Sequence, residues 1–183
     1  MGKIILSIFL FITLITASEK TYASQNASRS SASLQTSLIT KGHDNRAKVL
    51  RNFLEKHSSP LTPYSSAFIK IADNYHLDWR LVASISGVES TFGKHIPYNS
   101  YNGWGWGIYG DNIIYFSSWE DGIETVSKGL RVNYINKWKA INVYEIGKIY
   151  AASPRWASNV NYFMEKISEF QYQNLTDGLS ISL

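Results

Sequence analysis

Cysteine is absent from all 183 residues, and this removes thiol nucleophiles, disulfide staples and thiolate metal sites from consideration. It leaves the compartment open, because a domain of this size can bury an adequate core without cross-links. Histidine is also scarce. His43, His57, His76 and His95 include no pair at helical ligand spacing, so neither a metal nor another cofactor is expected. An excess of one charge is lacking too: the formal net charge is only +4, and no basic stripe exists to suggest nucleic acid as a partner. Internal repeats are absent. What remains, 44% hydrophobic and 17% charged residues, suits one globular domain.

Long apolar runs are confined to the start. Met1-Gly2-Lys3 precedes an uncharged stretch from Ile4 to Ala17, shorter than the roughly 20 residues a membrane span needs. Together with the small-residue signal Thr21-Tyr22-Ala23, it reads as a signal peptide over residues 1–23, with a retained anchor as the rival reading. Export to the periplasm, cell envelope or exterior is therefore expected. Removing Lys3, Glu19 and Lys20 with the leader leaves +3, which suits loose attraction to an anionic envelope. Residues 24–44 are too polar to bury a core and read as a flexible linker. The domain is expected over 45–176, with a frayed tail at 177–183, and a monomer is expected.

Apolar residues at helical spacing predict helices over 45–57, 64–75 and 79–90, the last with Asp78 as its cap and Gly93 as its stop. Ser118 with Asp121 opens a helix to about Asn136, and Asn142 with Glu145 opens one to Tyr150. Ser153-Pro154 starts a last helix to about Gln173. Ile108 to Phe116 predicts a short hairpin across Gly110-Asp111-Asn112. The expected class is mainly α with a small β-hairpin or irregular cleft loop.

Glu89 falls at the edge of the stripe formed by Leu81, Val82, Ile85 and Val88, where burial raises a carboxyl pKa. A glutamate there is ordinarily just a solvated helix-end residue. The segment Asn102-Gly103-Trp104-Gly105-Trp106-Gly107 adds weight, since helices do not require such alternation. Its glycines permit close backbone approach, and its indoles can stack on sugar rings or plug a small core. One can plug while the other binds.

The run Gly87-Val88-Glu89-Ser90-Thr91-Phe92-Gly93-Lys94, followed by Tyr101 to Gly107, resembles the lysozyme-like superfamily. Within it, the chain is most similar to the peptidoglycan endo-β-N-acetylglucosaminidase and lytic transglycosylase branches. The runs Phe116 to Ile123 and Tyr150 to Ala157 extend the resemblance. It implies Glu89 as proton donor and Tyr150 as its facing tyrosine. It further implies a glycan cleft around Ser90, Phe92, Asn102, Trp104, Gly105, Trp106 and Gly107.

The partner implied is the peptidoglycan glycan strand, and the reaction preferred is hydrolysis of its β-1,4 glucosaminidase-type bond. Glycosidases ordinarily need a second carboxylate. The candidates are Asp111, Glu120 and Asp121, with Asp111 placed in the expected hairpin. Two alternatives stand beside hydrolysis: a transglycosylase leaving 1,6-anhydro ends, and a non-catalytic glycan-binding or wall-scaffold module.

Overall fold

The computed structural model describes residues 44–107 and 112–180. The chain divides into two units, Met1–Asp44 and Asn45–Leu183. The expected leader, and all of the linker except Asp44, lie outside the described residues.

The second unit is built from helices. We label them α1 (Arg46–Lys56), α2 (Ser65–Asn74), α3 (Leu81–Ser90), α4 (Trp119–Gly129), α5 (Val143–Tyr150) and α6 (Trp156–Ser180). A 3-10 turn, Thr62–Tyr64, leads into α2, and a π-helical segment, Leu130–Lys137, continues α4. Val49, Leu50, Phe53 and Leu54 of α1 are buried at one helical face. Phe68, Ile69, Ile71 and Ala72 do the same in α2.

Helix α3 is the central element. Its residues Leu81 to Gly87 are all buried, as expected for a helix covered on every side. It packs most extensively on α6, which also covers α1 and α5. Small residues on α3 and α4 let large aromatics lie directly on the helix backbone. A Cβ at Gly87 would meet the Phe92 ring at 2.6 Å, one at Gly122 the Trp104 ring at 2.5 Å, and one at Gly129 the Trp106 ring at 2.3 Å.

Local chemistry sets the ends of α4 and α5. Ser118 Oγ accepts from the Asp121 N–H at 3.1 Å, and the Asp121 carboxylate accepts from the Ser117 N–H at 2.9 Å. Asn142 Oδ1 accepts from the Glu145 N–H at 3.0 Å, and Glu145 accepts from the Ile141 N–H at 2.7 Å. These reciprocal pairs satisfy amides that a helix start leaves without partners.

Three helix ends differ in detail from the sequence reading. Helix α3 ends at Ser90, as the 79–90 range expected, but the chain turns left-handed already at Thr91 (φ 53°, ψ 53°), two residues before the expected stop at Gly93. Helix α4 becomes π-helical at Leu130, where Arg131 donates to the carbonyls of Tyr75 (2.6 Å) and His76. Helix α6 continues past Gln173 to Ser180.

The expected small β-hairpin is corrected. Among the described residues no strand forms, and Asn112 carries only an isolated bridge; Gly110 and Asp111 lie outside them. The residues after Asn112 bond elsewhere. The Ile114 carbonyl accepts from Asn102 Nδ2 at 3.0 Å, and the Phe116 N–H donates to the Ser100 carbonyl at 2.9 Å. The expected irregular cleft loop is corrected as well, because residues 102–107 form tight turns clamped to the helical body. A helical bundle with no sheet among the described residues is inconsistent with the sheet-bearing lysozyme-like fold, so that family assignment is overturned.

Candidate functional site

Glu89 projects from the last turn of α3. Much of the residue is open to solvent, but its carboxyl is enclosed on two sides. Oε1 accepts a 2.6 Å hydrogen bond from the indole Nε1 of Trp156, at the start of α6. Oε2 faces Gly105, where an added Cβ would lie only 3.1 Å away. Gly105 itself has φ +60°, so backbone conformation and space both favour glycine at this point. Burial of the carboxyl raises its pKa above the ordinary glutamate value, and the Trp156 hydrogen bond opposes part of that rise.

The turn after Glu89 is held firmly. Thr91 and Phe92 both have positive φ, at 53° and 60°, a conformation that is costly for non-glycine residues. Ser90 braces it. Its buried Oγ donates to the Gly103 carbonyl at 2.7 Å and accepts from the Gly93 N–H at 2.8 Å. Ser59 Oγ donates to the Phe92 carbonyl at 2.7 Å. Ser90 thus ties the helix end to the Gly-Trp segment and fixes Gly105 against Glu89.

The two indoles of that segment have different surroundings. Trp104 is 0% exposed, with its Nε1 donating to the Val82 carbonyl at 2.9 Å, so it plugs the core. Trp106 is half-buried beside Tyr134 and Tyr150, with ring centroids 5.9 and 5.8 Å away. Asn102 holds the segment closed: Oδ1 accepts from the Trp106 N–H at 3.0 Å and Nδ2 donates to the Trp106 carbonyl at 2.9 Å.

A groove of about 250 Å³ opens here, lined chiefly by Gly105, Trp106, Tyr134, Trp138 and Tyr150, with Gly107 also on its wall. Trp138, 47% exposed, forms the outer rim and meets Tyr134 edge-on at 5.0 Å. Tyr150 stacks on Trp156 at 4.7 Å, and its hydroxyl donates to the Trp104 carbonyl at 2.7 Å. Burial, with the Glu89 charge adding to it, keeps this phenol well above its ordinary pKa and therefore neutral.

The structure thus brings together Glu89, Gly105, Trp106, Gly107 and Tyr150. Ser90, Asn102 and Trp104 lie behind the groove as braces, and Phe92 is buried among Phe53, His57 and Phe163. Asp111 lies outside the described residues. Sequence reasoning missed Trp156, Tyr134 and Trp138. Trp156 stands 67 residues from Glu89, and its only signal was its place in the Tyr150 to Ala157 run.

No protein-family model and no curated protein matches the chain.

The glycoside-cleaving reading is corrected with the fold that implied it. Among the described residues no sheet borders the groove, and no carboxylate is among the residues lining it. Asp121 is engaged in capping α4, and Glu120 lines a different depression with Ser66 and Lys70. The paired carboxylates that glucosaminidase hydrolysis ordinarily uses are therefore not assembled by these residues, and the transglycosylase alternative falls with the same fold assignment.

Proposed function

We propose that the groove beside Glu89 is a binding site for an amino-sugar glycan strand, with peptidoglycan as the polymer, in an exported protein. The observation that carries this reading is the aromatic wall of Trp106, Tyr134, Trp138 and Tyr150, continuous through Gly105 with the Glu89 carboxyl. Aromatic faces suit the apolar faces of sugar rings, and a few fixed polar groups set orientation. The Gly105 backbone is open to solvent for hydroxyl or acetamido contacts. Glu89 is an anchor of adjustable character: it accepts hydrogen bonds when ionised and can also donate one when protonated.

Co-sedimentation with purified peptidoglycan tests this. Trp138→Ala removes an exposed rim and leaves the core intact, so its retention should weaken about tenfold, equivalent to ~1.4 kcal/mol. Glu89→Gln should retain binding but lose its dependence on pH across the carboxylate range. Parental retention by both Trp138→Ala and Trp106→Phe would overturn the assignment.

A further inference from the structure

A second cleft, of about 280 Å³, lies along the seam of α1 and α6. It shares no lining residue with the groove beside Glu89. Phe53, Phe163 and Phe170 make its apolar surface, and Phe53 meets Phe170 edge-on with centroids 6.1 Å apart. A cavity of ~150 Å³ can hold a benzene ring, so this one has room for a single ring and a polar substituent.

Its rim is cationic on one side. Lys56 Nζ sits 5.8 Å from the Phe170 ring centroid, and Lys166 Nζ sits 5.6 Å from that of Tyr162. Lys166 also pairs with Glu169 at 2.7 Å, so that corner is locally compensated. The other corner differs. His57 packs between Phe53 and Phe92, each 4.7 Å away between centroids, and Lys94 Nζ donates to the His57 carbonyl at 2.9 Å. Burial first, then the charges of Lys94 and Lys56, holds the imidazole below its ordinary pKa. An apolar slot thus ends at a neutral imidazole in a positive field from two lysines.

We propose that this cleft is a second ligand site, taking a carboxylate carried on one aromatic ring or a similarly compact apolar body. The ring would lie against Phe53, Phe163 and Phe170, and the carboxylate would face Lys56 and His57. The titratable groups that share the cleft with His57 are Lys56 from α1 and Lys166, Glu169 and the Tyr162 phenol from α6, with Lys94 bonded to the His57 carbonyl from the turn after α3. An anion held there offsets the two nearest lysines, so binding should raise the His57 pKa. By linkage, affinity should increase as pH falls through that midpoint.

The test is a titration of the purified full-length chain with phenylacetate, read from the His57 imidazole resonances. Benzyl alcohol serves as the neutral probe and acetate as the ring-free probe. Phenylacetate should give saturable shifts and an upward move of the His57 midpoint. Benzyl alcohol, acetate and phenylacetate on Lys56→Gln should each bind about tenfold more weakly or worse. Lys56 is exposed, so the variant does not disturb the core, and circular dichroism checks that. An unmoved His57 resonance at ~10 mM phenylacetate would overturn the site, since that concentration exceeds even a millimolar Kd. Equal binding of benzyl alcohol would reduce it to a greasy crevice. Equal binding of acetate would reduce it to charge screening.

Discussion

At Glu89 two influences oppose each other: enclosure of the carboxyl raises its pKa and the Trp156 indole lowers it, with enclosure the larger. A carboxyl that holds its proton more tightly when folded favours folding below its unfolded pKa. That contribution is lost as pH rises through the folded pKa. Glu89→Gln should therefore gain stability relative to the parent as pH rises from about 4 to 7, which urea unfolding at both values would detect. Trp156→Phe keeps a ring for Tyr150 to stack on but removes the indole donor. The Glu89 midpoint, followed by carboxyl carbon resonances, should then move further upward. Burial of Trp156 implies a stability loss of ~1–3 kcal/mol as well. Glu89 was legible in the sequence because apolar neighbours flank it at helical spacing. Trp156 was not, because no local pattern links residues 67 positions apart.

Among the elements, the end of α3 and the π segment matter most. Thr91 is β-branched, exposed and left-handed, so Thr91→Gly should raise stability by up to ~1 kcal/mol in urea unfolding. The same change at Phe92 would empty a core position instead. Sequence reasoning put the stop at Gly93 because glycine is the usual left-handed residue. Here bracing by Ser90 and Ser59 lets two other residues take that conformation first. The caps at Ser118 and Asn142 were readable because they are local chemistry. The π turn was not, since α and π ladders use the same residues and differ only in which carbonyl each N–H meets. Gly129 precedes that change and lies against Trp106. Gly129→Ala should push the indole into the groove, costing ~1–3 kcal/mol and abolishing glycan retention while far-ultraviolet circular dichroism stays unchanged.

Across the whole molecule, the helical layout was readable from period and capping, whereas the lysozyme-like inference went too far. Residues 108–116 suggested a hairpin, but in their described part the Ile114 carbonyl bonds to Asn102 and the Phe116 N–H to Ser100 instead. The small net charge also has a consequence at this scale. Glycan retention by an aromatic groove should fall less than about threefold between low and ~0.5 M salt in co-sedimentation, because screening acts on charge rather than on ring stacking. The aromatics resting on helix glycines restrict how this protein can drift. Enlarging Gly87, Gly122 or Gly129 without trimming Phe92, Trp104 or Trp106 creates an overlap, whereas trimming an aromatic alone leaves a void. Each pair should therefore be inherited as a unit, with a change on one side persisting only beside a compensating change on the other.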